Sequence, residues 1–275
     1  MLVARWSADW FPPHALAFWR WLVALAPMLA LSGGVLWQRR ADVRREWRDL
    51  LVLGALGMWV CGAFVYIAAR TTSATNIGLI YAMVPVLIML IAAGVFRERL
   101  SGAQLTGAGV ALAGVLAIVL KGDPGNLARL AFTRGDLWVA AAATCWAIYS
   151  VWLRFRPSRL DPLVRLAAIT GAGVLILAPL TLAEAWLVGP PPLDWRAVAA
   201  VLIVGLLPGF GAYQAWSWLM REIGASRTAL ILYLTPLYTA LLSWALLGEA
   251  PHWYHATGGA MVLGGLWLAN RPVAR

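Results

Sequence analysis

The chain has 275 residues, of which 62% are hydrophobic and only 12% are charged, and its mean hydropathy is +0.76. Ordinary soluble domains are about half apolar and about a quarter charged, so this composition excludes a single water-soluble fold. The formal net charge of +10 comes almost wholly from arginine. With no aqueous domain to carry a basic patch, it indicates arginine-rich loops beside a lipid bilayer rather than nucleic-acid binding.

Apolar stretches separated by polar or Pro/Gly clusters predict ten membrane spans, because a bilayer core about 30 Å thick needs about 20 apolar residues per helix. The predicted fold is therefore an all-α polytopic membrane protein. The first stretch is too short to cross a bilayer by itself. In chain order the spans cover 1–9, 13–34, 50–69, 75–96, 102–120, 136–153, 162–186, 197–219, 225–247 and 253–270.

The sequence resembles itself when it is shifted by 151 residues, which aligns 70–120 with 221–271 without a gap. The chain is thus predicted to hold two five-helix repeats, 1–121 and 134–271. Because five is odd, the repeats must run in opposite directions through the membrane, as in many secondary transporters. The counterpart of 136–149 is missing from the first repeat, so the first helix is expected to be incomplete. Identical pairs include Arg70/Arg221, Pro85/Pro236, Glu98/Glu249, Thr106/Thr257, Gly107/Gly258 and Gly114/Gly265.

Arginine placement predicts the orientation of the spans. If the amino terminus is cytoplasmic, the inner loops hold fifteen basic residues and the outer loops hold five. Cytoplasmic loops carry the excess of positive charge, so both termini are expected to be cytoplasmic. The inner residues are Arg39, Arg40, Arg44, Arg45, Arg48, Arg97, Arg99, Arg154, Arg156, Arg159, Arg165, Arg221, Arg227, Arg271 and Arg275, and the outer ones are Arg70, Lys121, Arg129, Arg134 and Arg196.

Several motifs resemble the drug/metabolite transporter superfamily, specifically its ten-helix EamA type. They are Thr72-Ser73-Ala74, Pro85, Arg97-Glu98-Arg99-Leu100 and Gly107…Gly114, repeated as Gly224-Ala225-Ser226, Pro236, Gly248-Glu249 and Gly258…Gly265, together with Trp146-Ala147-Ile148-Tyr149 and Arg154. The 17 tryptophans and the tyrosines also resemble the YddG-type exporters of aromatic amino acids, although aromatic belts at the membrane interfaces consume tryptophan too. The resemblance implies an exporter in the bacterial inner membrane.

Polar and aromatic side chains inside the spans are the candidate substrate contacts, because rings with polar tips can stack on an aromatic cargo and also hydrogen-bond to it. A buried amide needs partners, which favours a cavity or protein neighbour for Gln214. Belt and packing roles remain the alternative for each aromatic residue. The candidates are Tyr81, Trp146 and Gln214 first, then Trp59, Tyr66, Tyr149 and Tyr213.

Pro85 and Pro236 lie within equivalent spans, and each removes a backbone donor. Such breaks are tolerated in a membrane where they face protein or a wet cavity. Hinges beside a central site and plain packing kinks both fit this pattern. The Gly107/Gly114 and Gly258/Gly265 spacing indicates close helix packing inside the chain, with a dimer contact as the alternative.

Arg20 is unusual because it lies about two turns into the second span. It is interpreted mainly as snorkelling to the outer interface, with a substrate carboxylate or Asp9 as alternative partners. Acids are found at span ends rather than at the midplane, which argues against coupling to protons or sodium through a carboxylate.

The predicted function is export of small metabolites, most of all amino acids including aromatic ones, by alternating access and without an obligatory coupling ion. Another cargo of the same family, such as a drug, a purine or another metabolite, is the alternative. An enzyme is disfavoured because the three histidines and two cysteines form neither a metal set nor a nucleophile with a base. No cofactor or metal is expected, and the oligomeric state stays open with a slight preference for a monomer.

Overall fold

The computed structural model describes residues 6, 7, 9–247 and 250–271, excluding the side chains of residues 243, 246 and 247. Within these residues all regular structure is helical. Seven helices in the described part of the chain are long and apolar enough to cross a membrane. They are α1 (Pro13–Gln38), α2 (Trp47–Ala68), α3 (Ala74–Phe96), α4 (Gly102–Val119), α5 (Arg134–Phe155), α6 (Pro162–Val188) and α7 (Trp195–Glu222).

Two further helical stretches follow in the described part of the chain. The first, α8, covers 225–247 as Ala225–Leu230, Ile231–Leu234 and Thr235–Leu247, and the second, α9, is Trp253–Ala269. Predicted spans two to ten therefore coincide with α1 to α9, and the all-α, multi-pass part of the fold prediction is confirmed. Most of the predicted span 1–9 lies outside the described residues, as do Gly248 and Glu249, so the count of ten remains a prediction.

Local sequence signals explain where the helices begin. Ser101 and Gln104 form a capping box at the start of α4, in which each side chain accepts a hydrogen bond from the other residue's backbone N–H. Asp194 accepts from the backbone N–H of Ala197 at 2.8 Å and caps α7. Such caps satisfy orphan donors at the first turn, typically contributing about 1 kcal/mol each.

Paired glycines join α4 to α9. A Cβ built on Gly107 would lie 2.4 Å from the carbonyl oxygen of Gly265, and one on Gly114 would lie 2.5 Å from that of Gly258. The earlier glycine of each helix faces the later glycine of the other, so the two helices are antiparallel. Only glycine permits this backbone approach, and the predicted internal packing role of these glycines is confirmed.

A second set of close contacts crosses between the two halves of the sequence. Gly54 of α2 packs against the backbone of Gly173 in α6, where a Cβ would meet the Gly173 nitrogen at 2.8 Å. Gly205 of α7 packs in the same way against Val23 of α1, where a Cβ would meet Cγ1 at 2.7 Å. Because Gly54 and Gly205 are 151 residues apart, equivalent helices make matching contacts with the opposite half.

Four of the described helices depart from regular α-geometry. α2 contains the π-helical segment Ala55–Val60, and α7 contains the π-helical segment Gly205–Ala212. α3 is interrupted at Met83, while α8 tightens to a 3₁₀ turn over Ile231–Leu234, each immediately before a proline-containing helix. π segments widen the helix and release carbonyls from the regular ladder, and they occur frequently at functional sites.

Candidate functional site

An aromatic cluster forms where α5 meets α7. Trp146 stacks on Tyr149 with 5.3 Å between ring centroids, and it contacts Tyr213 at 5.0 Å and Trp216 at 5.2 Å. Trp21 of α1 joins the cluster by an edge contact with Tyr213 at 4.7 Å. Three of the seven predicted substrate residues, Trp146, Tyr149 and Tyr213, therefore lie together. Trp21 and Trp216 complete the cluster and are not distinguishable in the sequence from the other tryptophans.

Arg20 projects into this interior region. Its guanidinium lies 4.6 Å from the ring centroid of Trp21 and 5.9 Å from that of Tyr213. Its Nη1 donates to the hydroxyl of Tyr66 at 3.4 Å, and its Nε is buried without a hydrogen-bond partner. The preferred interpretation of Arg20 as a snorkelling residue is wrong, because the side chain lies among interior aromatic rings rather than reaching out along the helix surface.

No carboxylate of the described residues lies within 4.0 Å of the Arg20 guanidinium, and Asp9 is therefore not its partner. A charge inside a membrane protein is costly unless it is paired or hydrogen-bonded. Contact with aromatic faces offsets part of that cost through cation–π attraction. The guanidinium nevertheless keeps donors available for an anionic ligand.

Tyr66 and Tyr81 extend the site toward α2 and α3. Tyr66 is buried and accepts a hydrogen bond from Arg20, while Tyr81 is half-buried and lies near Arg20 and Tyr66. Tyr81 lies two residues before the interruption of α3 at Met83. The structure thus brings these two predicted residues to the same arginine.

Trp59 and Gln214 are half-buried, and each has one buried polar atom without a partner, Nε1 of Trp59 and Oε1 of Gln214. Trp59 lies within the π segment of α2 and has an edge contact with Phe64 at 6.1 Å. Gln214 follows the π segment of α7 by two residues. No direct contact between either residue and Arg20 is present in the described part of the chain.

Tyr149 is fully buried, and its ring packs directly on Gly57, where a Cβ would come within 2.7 Å of the ring. This tight contact means that Tyr149 supports the π segment of α2. Tyr149 therefore packs behind Trp146, and its side chain is not open to a ligand.

The carbonyls released by the π segment of α2 are satisfied by aromatic side chains from other helices. Tyr213 of α7 donates its hydroxyl to the carbonyl of Gly57 at 2.9 Å, and Trp21 of α1 donates Nε1 to the carbonyl of Met58 at 2.9 Å. Backbone acceptors in a membrane interior need such partners. The site is therefore joined to a widened helix segment by two side-chain hydrogen bonds.

The two predicted hinge prolines lie just after the helix breaks. Pro85 is the second residue of the helix Val84–Phe96, and Pro236 is the second residue of Thr235–Leu247. Proline at the first turn of a helix costs little because its missing N–H would be unsatisfied there anyway. The breaks thus give both prolines a low-energy position between two helical segments.

Polar networks tie the helices at both ends of the bundle. At one end Glu184 of α6 accepts from the backbone N–H of Ala15 at 2.8 Å and from His14 Nδ1 at 3.0 Å, and so caps α1. At the other end, here called the arginine-rich end, Glu46 accepts from Ser158 at 2.7 Å and from the backbone N–H of Arg159 at 2.9 Å. Both networks cross between the two halves of the sequence.

In the described residues, no group of three or more His, Cys, Asp or Glu side chains is placed so that it could hold a metal ion. What the site offers is an unpaired guanidinium, several aromatic faces and tyrosine hydroxyls, enclosed by helices from both halves. This arrangement can bind a small molecule that has one anionic group and an apolar or aromatic body.

Comparisons with known proteins agree with this membrane architecture. A curated relative, the uncharacterized transporter YyaM of Bacillus subtilis, is 27% identical over 98% of this chain and 88% of its own length. The probable terminal-alkyne amino-acid exporter of Streptantibioticus cattleyicolor is 27% identical over 91% of this chain and 82% of its own. The aromatic amino acid exporter YddG of Ancylobacter novellus is 27% identical over 83% and 77%.

One solved crystal structure superposes on this chain with a TM-score of 0.78 at 25% sequence identity, covering 98% of this chain and 91% of that one. The EamA-like transporter family matches this chain over residues 1–120 and 133–271, which together make up most of the sequence. The resemblance stated from the sequence motifs is confirmed. The chain belongs to the EamA-like transporter family of the drug/metabolite transporter superfamily and is a multi-pass membrane transporter.

Proposed function

We propose that this transporter exports amino acids, including aromatic ones, by alternating access and without an obligatory coupling ion. The observation that carries the proposal is the Arg20 guanidinium, which has no carboxylate partner among the described residues and lies against Trp21, Tyr66 and Tyr213. An amino acid supplies the missing carboxylate, and an aromatic side chain suits the surrounding rings.

The relatives support this choice of cargo at a distance. Two of them are described as amino-acid exporters, one of them for aromatic amino acids, at 27% identity. In this chain the corresponding chemistry would be divided between Arg20 for the carboxylate and Trp146, Tyr213 and Tyr81 for the body of the cargo. The unsatisfied Oε1 of Gln214 is the proposed acceptor for its amino group, and the unsatisfied Nε1–H of Trp59 is the proposed donor to bound water.

Alternating access rests on the inverted five-helix repeats, 1–121 and 134–271. Three observations support them: the family matches two separate segments, α4 and its sequence equivalent α9 pack antiparallel, and α2 and α7 make matching contacts with the opposite half. In this scheme Pro85 and Pro236 are hinges. The helix breaks at Met83 and at Ile231–Leu234 allow the two segments of α3, and likewise those of α8, to pivot relative to each other.

The arginine-rich end is proposed to be cytoplasmic, with both termini on that side of a bacterial inner membrane. The basis is the excess of arginine in the loops at that end. A facilitator without a coupling ion fits the positions of the acids. Asp136 is in the first turn of α5, hydrogen-bonded to Thr72 and Asn76, and Glu184 caps α1.

The test is uptake of labelled tryptophan, phenylalanine and threonine by purified protein in liposomes. Saturable uptake that excess unlabelled amino acid blocks, but tryptamine does not, supports a carboxylate-bearing cargo. Folded protein that takes up none of the three overturns the cargo assignment and leaves the transporter family membership intact.

A further inference from the structure

A pocket of about 280 Å³ opens at the arginine-rich end, separate from the aromatic site. It lies between the end of α5, the loop 156–161, the start of α6 and the last turns of α7. Its lining contains five arginines, Arg154, Arg156, Arg159, Arg165 and Arg221, against a single acid, Asp161. A wall of this composition attracts an oxyanion.

Two of the lining side chains are more than nine-tenths buried, and one of them has an unsatisfied polar atom. Arg165 is 8% exposed and its Nε has no hydrogen-bond partner. Ser217 is 6% exposed, and its hydroxyl lies close to that of Tyr149. Two other atoms of Arg165 are held by the chain, since Nη1 donates to the carbonyl of Leu153 at 2.8 Å and Nη2 to that of Arg156 at 3.4 Å. The guanidinium is thereby fixed in place at the wall of the pocket while one of its donors stays free.

The first turn of α6 adds a third source of donors. Asp161 is the residue before this 27-residue helix, but its side chain makes no capping hydrogen bond. An uncapped amino terminus of a long helix presents free N–H groups and a positive potential to whatever lies beside it. Here Asp161 and Pro162 themselves line the pocket.

The exposed arginines at the rim of the pocket, Arg156, Arg159 and Arg221, form only weak ion pairs. The ion pairs Arg156–Asp49, Arg159–Asp42 and Arg221–Asp161 measure 3.6, 3.9 and 4.0 Å, and each arginine side chain is more than half exposed. Exposed pairs at such distances contribute little and reorient easily. These guanidinium groups can therefore turn to a ligand without breaking a strong interaction.

We propose that this pocket binds a phosphate group. A phosphate offers three or four oxygens to several convergent guanidinium, hydroxyl and backbone donors, whereas a carboxylate offers only two. The phosphate can come from the headgroup of an anionic phospholipid, since basic pockets between membrane helices bind such groups, or from a soluble phosphate.

The experiment measures the thermal unfolding midpoint of the purified full chain during titration with inorganic phosphate, with sodium chloride at matched ionic strength as reference. The pocket variant is Arg159→Gln with Arg221→Gln, which changes two exposed rim residues. The control is Arg44→Gln with Arg48→Gln, two exposed arginines at the same end that do not line the pocket. Ser217→Ala tests the deep wall without changing charge.

Phosphate is expected to raise the midpoint of the wild type and the control equally, while the apparent dissociation constant of the pocket variant rises about tenfold, as expected for the loss of two solvent-exposed charge contacts of up to about 1 kcal/mol each. Nanodiscs with phosphatidylglycerol identify the source. If the headgroup is the ligand, the lipid abolishes the phosphate response in the wild type, whereas a soluble ligand leaves it intact. Equal responses of pocket variant and control, or no response to either phosphate or the lipid, overturn the proposal.

Discussion

Replacing Arg20 tests the proposed site most sharply. Arg20→Gln removes the guanidinium that has no carboxylate within 4.0 Å among the described residues, and it leaves Trp21, Tyr66 and Tyr213 in place. Loss of a charge-assisted hydrogen bond typically costs about 1.5–3 kcal/mol, which corresponds to roughly 10- to 150-fold weaker binding of a carboxylate-bearing cargo. Arg20→Lys keeps the charge but loses the planar fork, and its expected effect is about fivefold, or roughly 1 kcal/mol.

The same substitution separates a binding role from a structural one. Because no carboxylate pairs with Arg20, Arg20→Gln leaves no orphan charge and the protein is expected to remain folded with a similar unfolding midpoint. The assay is the concentration dependence of tryptophan uptake into liposomes, with Arg129→Gln, an exposed arginine, as the control. An unchanged KM in Arg20→Gln, or competition by tryptamine as effective as competition by tryptophan, would refute the reasoning.

Three further predictions concern stability, and each is read from the unfolding midpoint in detergent. Gly114→Val should destabilise the protein by about 1–3 kcal/mol or more because a Cβ there meets the Gly258 oxygen at 2.5 Å, whereas Gly109→Ala, which faces open space, should not; equal effects would contradict the antiparallel seam. Tyr213→Phe should cost about 1–2 kcal/mol by leaving the Gly57 carbonyl unpartnered, and an unchanged midpoint would refute that account of the π segment. Glu184→Ala should lower the midpoint through loss of the α1 cap, with exposed Glu222→Ala as its neutral counterpart.

The helices themselves could be predicted from the sequence, because long apolar runs in a membrane protein have only one stable form, the helix. Predicted spans two to ten coincide with α1 to α9 for this reason. Pro85 and Pro236 also indicated where α3 and α8 depart from regular geometry, at Met83 and over Ile231–Leu234. Both irregularities precede the proline, because proline is tolerated in the first turn of a helix but not in its interior.

The details of the site could not be predicted from the sequence. The π segment of α2 depends on side chains from other helices, because Tyr213 and Trp21 donate hydrogen bonds to its released carbonyls. The direction of the Arg20 side chain is likewise set by tertiary neighbours that the sequence does not show, which is why the preferred snorkelling interpretation was wrong. The sequence signal for irregular helix geometry was the concentration of glycine, at Gly54 and Gly57 in α2 and at Gly205, Gly209 and Gly211 in α7.

The measurement that tests the central claim most directly is counterflow in liposomes. Vesicles containing the purified protein are loaded with unlabelled tryptophan and diluted into labelled tryptophan, with and without an imposed pH gradient. An alternating-access carrier without a coupling ion is predicted to give a transient accumulation of label that needs the preload and does not change with the gradient. Folded protein that shows no accumulation, or accumulation only when the pH gradient is present, would contradict the account.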